Sequence, residues 1–285
     1  MNGKYLRKFI WFISLMVLPC LVWGGSAVNI HVTKTGEPIS KYIYGQFIEH
    51  LGRCIYGGIW AEMLEDRKFY FPVTDEFKPW SIETERGYWG GGDFPVITGS
   101  PWKVIGGRGT VRMMKDDSFV GEHTPEIKID GTPAGIEQGE LALLPGKEYV
   151  GYVILSGEAD AAPVKVSLSW GEGENDSSTY TINTLTDEFK KYTFRFTSRR
   201  ETSEGCLRIA GHGKGTYKTG TVSLMPADNV KGFRPDTIQL MKELDSPVYR
   251  WPGGNFVSDY NWKDGIGDRD KRPPPKKSRL DRYRT

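Results

Sequence analysis

The sequence has little histidine, little cysteine and almost no excess charge. Four His among 285 residues leave few combinations for a metal site. His50 and Cys54 lie four apart, but no further ligand pair completes a zinc set. Of three Cys, Cys20 falls in the N-terminal apolar stretch, leaving Cys54 and Cys206. Export permits a disulfide between them, yet sequence alone does not bring them together, and two free, packed thiols are expected. With 38 basic and 36 acidic residues the net charge is +2, which supplies no global field for nucleic acid or an anionic membrane. A long apolar run is missing as well. Phe9 to Trp23 is 15 residues, short of the roughly 20 that a membrane-spanning helix needs.

What is present begins with a secretory pattern. Lys4, Arg7 and Lys8 form a positive start, the apolar stretch follows, and Gly25-Ser26-Ala27 offers small residues for cleavage. Residues 1–27 are therefore read as a signal peptide, and the mature chain as exported, periplasmic or extracellular. Aromatics at 13%, nine of them Trp, and 35 Gly suit a β-rich protein with many turns.

Along the chain, Val28, Ile30 and Val32 alternate with polar residues, which predicts a strand. Ile43 to Glu49 predicts a second strand, more uniformly apolar, as buried parallel strands are. Trp60 to Lys68 reads as a short helix, with Glu62, Glu65 and Asp66 on its solvated face. From Phe71 to Met225 short alternating runs are separated by Gly, Pro, Asp and Asn. Val164, Val166, Leu168 and Trp170 share one face, and Tyr192, Phe194 and Phe196 another. Such spacing predicts an all-β sandwich. Then the period changes. Pro235 at the first helical position and Asp236 in the first turn open a helix, with Ile238, Met241 and Leu244 on one face. Val248 to Trp251 follows as a strand ended by Pro252-Gly253-Gly254.

The order strand, long β insertion, helix, strand predicts a mixed fold: a β-sandwich of jelly-roll type inserted after the first strand of an incomplete (β/α)8 barrel. The expected organisation is a signal peptide (1–27), an N-terminal strand and first barrel strand (28–73), the jelly roll (74–230), a barrel helix and second strand (231–274), and a basic tail (275–285). In such barrels the polar residues ending each strand face the active site. Glu49 and Arg250 hold that position here. A strand-end ion pair between them is the structural alternative.

Ile43-Tyr44-Gly45-Gln46-Phe47-Ile48-Glu49-His50-Leu51-Gly52-Arg53-Cys54-Ile55-Tyr56-Gly57-Gly58-Ile59-Trp60 closely resembles the opening motif of family 51 glycoside hydrolases of the α-L-arabinofuranosidase type. Arg250-Trp251-Pro252-Gly253-Gly254-Asn255-Phe256, with Tyr260-Asn261-Trp262 and Asp264-Gly265-Ile266-Gly267 behind it, resembles that family's second-strand motif. The segment between resembles a carbohydrate-binding module. The resemblance implies substrate-binding roles for Glu49, Arg250 and Asn255 around a furanose ring. It also implies retaining hydrolysis of terminal arabinofuranosyl groups of arabinan or arabinoxylan, without cofactor or metal. Two Glu on later barrel strands would act as acid and nucleophile. Neither of their motifs occurs here, and Glu49 is rejected as nucleophile, so no catalytic residue is assigned.

After Pro274 the family pattern stops and a basic tail follows. Codons chosen to encode Lys276 to Thr285 read, one base out of frame, as a family-like continuation. The expectation is therefore a chain cut off before its catalytic pair and inactive alone. Its expected partners are plant cell-wall polysaccharide or arabino-oligosaccharide, not nucleic acid, nor a membrane after signal cleavage. The family resembled is often homo-oligomeric. The other reading is a non-catalytic carbohydrate-binding fragment, with Tyr88, Trp89, Trp102 and Trp170 as stacking candidates that are first expected in the core.

Overall fold

The structure, a computed structural model, describes residues 28–50, 54–85, 92–173, 175–254, 257 and 260–274. By its contacts the chain divides into residues 1–43 and 44–285. In the first unit, the described residues from Val28 on are all exposed, and a turn at Val32 and Thr33 replaces the expected strand. Alternation marks two faces, but a strand also needs a ladder partner. Among the described residues no helix is long and apolar enough to cross a membrane.

The second unit is dominated by two five-stranded antiparallel sheets. Their strands are β4 (Lys103–Ile105), β5 (Val111–Met114), β6 (Thr124–Asp130), β7 (Ala134–Leu143), β8 (Glu148–Gly157), β9 (Val164–Ser169), β10 (Ser177–Ile182), β11 (Lys190–Thr197), β12 (Thr202–Gly211) and β13 (Lys214–Pro226). One sheet runs β10-β9-β12-β7-β4 and the other β11-β8-β13-β6-β5. The two share one core. Val164, Val166 and Leu168 of β9 and Leu207 and Ile209 of β12 meet Tyr149, Val153 and Leu155 of β8 and Phe194 and Phe196 of β11 in it. The alternation read from the sequence is thus the inward face of each strand. Preceding this sandwich are β1 (Gln46–Phe47) and a hairpin of β2 (Trp80–Glu85) with β3 (Gly92–Ile97). After it come, among the described residues, one α-helix, α1 (Pro235–Glu243), with Pro at its start, β14 (Tyr249–Arg250) and a 3-10 turn over Trp262–Gly265.

Three local readings are corrected. Ile43–Glu49 yields only the two-residue β1, preceded by a 3-10 turn over Lys41–Tyr44. Phe47 is 57% exposed, because among the described residues β14 is the one strand that pairs with β1. Trp60 to Lys68 forms no helix. The segment lies along the second half of β13, where β6 no longer pairs. There Met63 N–H donates to Leu224 O, Val222 N–H to Arg67 O, and the Arg67 Nε–H back to Val222 O. Backbone groups committed to a neighbouring strand cannot close helical turns. Finally, Leu244 stays exposed, so the apolar stripe of α1 is only partly covered.

Residues before position 74 are part of the sandwich core. Leu64, Phe69 and Val73 are buried in it, and Glu65 exchanges hydrogen bonds with the Gln138 amide. Trp102 is fully buried, its Nε1–H donating to Asp66 O at 3.1 Å. Trp170 is buried too, its indole N–H without a hydrogen-bond partner. Neither is a stacking platform. Tyr88 and Trp89 lie outside the described residues, as does the tail from residue 275. Cys54 and Cys206 are both free thiols, the first exposed rather than packed.

Candidate functional site

β1 and β14 are adjacent and parallel, with Gln46 opposite Tyr249 and Phe47 opposite Arg250. The ladder extends by Gln46 N–H to Val248 O and Ile48 N–H to Arg250 O, both 2.9 Å. Two segments some 200 positions apart in sequence therefore end side by side. Ile48, Ile55 and Ile59 form a small second core beneath them, with Trp60, Phe233, Met241 and Tyr249 packed on it. The Tyr249 hydroxyl donates to Met241 O at 2.8 Å, which ties the helix to the strand that follows it.

The strand ends carry the predicted side chains. Glu49 is half-buried and Arg250 exposed. The Glu49 carboxyl group lies directly on Gly254, where any β-carbon would coincide with it, and Gly254 has φ +60°. Gly253, at φ +57°, brings its backbone against the Phe47 ring in the same way. A left-handed pair with no side chains is what lets this turn approach a carboxylate so closely. The Trp251–Pro252 peptide is cis, and the Trp251 ring meets His50 edge-on at 5.8 Å. The Arg250 guanidinium stacks over the Phe47 ring, 5.2 Å from its centroid. Glu49 and Arg250 are thus brought to one strand-end surface, and no ion pair joins them among the described ion pairs. Asn255, the third predicted residue, lies outside the described residues. Chemically, a carboxylate and a guanidinium on adjacent strand ends suit recognition of vicinal hydroxyls.

A second polar cluster was missed by the sequence reading. Asp270 is buried and accepts hydrogen bonds from Arg67 Nη2 at 2.8 Å, Tyr152 Oη at 2.5 Å and Lys191 Nζ at 2.6 Å. Burial alone would raise its pKa, but the bonds from Lys191, Tyr152 and Arg67 outweigh it and hold the carboxyl far below the usual range. Lys68 Nζ donates to Arg269 O and Arg272 O, with burial and then Arg67 lowering its pKa to about 8. The 268–272 turn is thereby fastened to both β8 and β11. In the sequence Asp270 sits in a run of basic residues and reads as solvated. Its partners come from three distant segments.

Glu62 and Asp66 also depart from expectation. Both were assigned to a solvated helix face, but Glu62 is buried and Asp66 half-buried. Glu62 accepts from Ser223 Oγ at 2.6 Å and Leu224 N–H at 2.8 Å, with Arg67 Nε 3.5 Å away. Its carboxylate takes the place of a strand carbonyl beside β13. Burial raises its pKa, and Arg67 and the hydrogen bonds oppose the rise. Asp66 accepts from Tyr70 and Phe71 N–H, yet burial dominates and lifts it to about 7. Among the described residues no group of three His, Cys, Asp or Glu side chains is arranged to hold a metal.

This arrangement can be set beside known proteins. No family model matches the chain. The chain is similar to α-L-arabinofuranosidases. It is 25% identical over 313 residues to alpha-L-arabinofuranosidase 1 of Arabidopsis thaliana, covering 96% of this chain and 43% of that protein. A shorter match, 51% over 59 residues, links it to an exo-alpha-(1->6)-L-arabinofuranosidase of Bifidobacterium longum, covering 21% of this chain and 10% of that one. The chain thus spans less than half the length of these relatives. Among solved structures, a family 16 carbohydrate-binding module is similar at TM-score 0.34 and 13% identity, over 41% of this chain and 85% of that one. The CBM22-1 xylan-binding domain of Paenibacillus barcinonensis Xyn10C is similar at TM-score 0.35 and 15% identity, over 45% of this chain and 87% of that one. Scores this low bear no weight for function, and the sandwich is established by its own strand order.

Proposed function

We propose that this chain is the N-terminal part of a retaining family 51 α-L-arabinofuranosidase. In this reading β1 and β14 are the first two strands of a (β/α)8 barrel, with the sandwich inserted between them. Glu49, Arg250 and Asn255 line the furanose subsite for terminal arabinofuranosyl groups of arabinan or arabinoxylan. The observation that carries the proposal is the parallel pairing of β1 with β14, which sets Glu49 and Arg250 on neighbouring strand ends. That is the geometry by which a parallel barrel collects its site. The basic-then-apolar start of the sequence supports an exported protein.

Two strands supply a subsite but no acid–nucleophile pair, so the proposal assigns binding without turnover to this polypeptide. The test is a titration of the full chain with methyl α-L-arabinofuranoside, followed by NMR, beside a hydrolysis assay on the p-nitrophenyl furanoside. Weak saturable shifts that are lost in Glu49→Gln, with no release of nitrophenol, are expected. Turnover would show a catalytic pair within this chain, and shifts indifferent to Glu49 would remove the subsite. A purely carbohydrate-binding role is the second reading, favoured by a groove on the sandwich.

A further inference from the structure

The sandwich carries an open groove of about 500 Å³ on its second sheet. Tyr152, Thr193, Arg195, Ser223, Met225 and Arg269 are among its walls. Thr193 and Arg195 are two apart on β11, Val150 and Tyr152 two apart on β8, and Ser223 and Met225 two apart on β13, so each pair projects from one face of the sheet. The result is an apolar floor of Val150 and Met225 flanked by the Thr193 hydroxyl and two guanidinium groups, while the Tyr152 and Ser223 hydroxyls already donate to Asp270 and Glu62.

Charge in this groove has one sign. Among the described residues that line it, two are arginines and none is a carboxylate. Arg195 is paired with Glu148 at 2.8 Å in an exposed contact, which solvent weakens. Arg269 has no carboxylate partner among the described residues. Its guanidinium lies over the Trp60 ring at 5.0 Å and donates to Tyr152 Oη at 3.3 Å. The neighbouring carboxylate, Asp270, is already saturated by Arg67 and Lys191. Arg269 arrives from the segment after β14, so the groove is completed only when that segment is docked on the sandwich.

We propose that this groove binds a carbohydrate bearing a carboxylate, such as a uronic-acid branch of a cell-wall polysaccharide. A sugar ring offers an apolar face to the floor and a hydroxyl to Thr193, while its carboxylate meets a planar guanidinium. An acidic peptide is less suited, because the floor strands β8 and β13 are interior strands with neighbours on both sides and offer no free edge for strand addition. The site is separate from the Glu49 and Arg250 subsite, and it stands or falls independently of it.

The experiment is calorimetric titration of the full chain with a xylo-oligosaccharide carrying one glucuronyl group. The unsubstituted oligosaccharide and an acidic hexapeptide are the comparisons. The acidic sugar is expected to bind in a salt-sensitive manner, with the neutral one at least about tenfold weaker. Arg269→Gln and Arg195→Gln should each weaken the acidic sugar by about tenfold, and Glu148→Gln should strengthen it. Glu49→Gln should leave it unchanged, which separates this site from the furanose subsite. Arg195 is exposed, so its variant tests the groove even where Arg269→Gln loosens the docked turn. Equal affinity for the neutral sugar, tighter binding of the hexapeptide, no binding at all, or parental affinity in both arginine variants would each overturn the proposal.

Discussion

The carboxyl group of Glu49 fills the space where a side chain on Gly254 would begin. The two residues belong to motifs far apart in the sequence, joined only because β1 and β14 pair in parallel. Any side chain at position 254 must either expel the carboxylate or abandon a left-handed backbone conformation. Gly254→Ala is expected to abolish furanoside-induced shifts while leaving the sandwich's far-ultraviolet circular dichroism intact. Retained shifts would separate Glu49 from the subsite.

Asp270 fastens the 268–272 turn to the sandwich, so its loss should be felt as stability. Asp270→Asn leaves the half-buried Arg67 with only the more distant Glu62 as counter-charge, and breaking such a pair costs up to about 3–5 kcal/mol. Chemical denaturation at pH 7 checks this. Because its folded pKa is depressed, the contribution is whole above the unfolded value of about 4 and fades as pH falls below it. The variant should lose that acid limb. An unchanged limb would assign it to other carboxylates.

Asp66 has the opposite sign. Its pKa is raised to about 7 by burial, so the folded state holds a proton that the unfolded chain releases near pH 4. Stability from this group is whole below about pH 4, declines as pH rises toward 7 and is flat above. Asp66→Asn removes the charge and tolerates the residue's φ of +46°. The variant is expected to match the parent near pH 4 and exceed it at pH 8. Parallel melting curves across this range would contradict the assignment.

The two buried tryptophans should respond differently to the same change. Trp102→Phe removes the hydrogen bond from its Nε1–H to the Asp66 carbonyl, which keeps the Phe69 N–H, at a cost of about 0.5–1.5 kcal/mol beyond the change of volume. Trp170→Phe deletes an N–H that has no partner and should cost less. Denaturation midpoints of the two variants compare them directly. Equal losses would indicate that shape rather than hydrogen bonding decides both.

Much of the sandwich was legible in the sequence. Val164, Val166 and Leu168 alternate because only one face of β9 meets the core, and that period survives any choice of neighbours. Pro235 opening α1 is equally local, since a proline ring fixes its own backbone angle. The strand-end positions of Glu49 and Arg250 followed from where the apolar runs stop. Tertiary structure alone decided the rest. Val28 to Thr33 alternates without a ladder, and Trp60 to Lys68 gives up helical bonding to lie beside β13. Glu62, Asp66 and Asp270 look solvated in sequence because a carboxylate's burial depends on which donors arrive from elsewhere. For Glu62 these include Ser223 and Leu224, and for Asp270 they are Arg67, Tyr152 and Lys191. Periodicity records the face a strand turns inward, whereas the pairing of β1 with β14 and the filling of these charge sites depend on segments that no local pattern brings together.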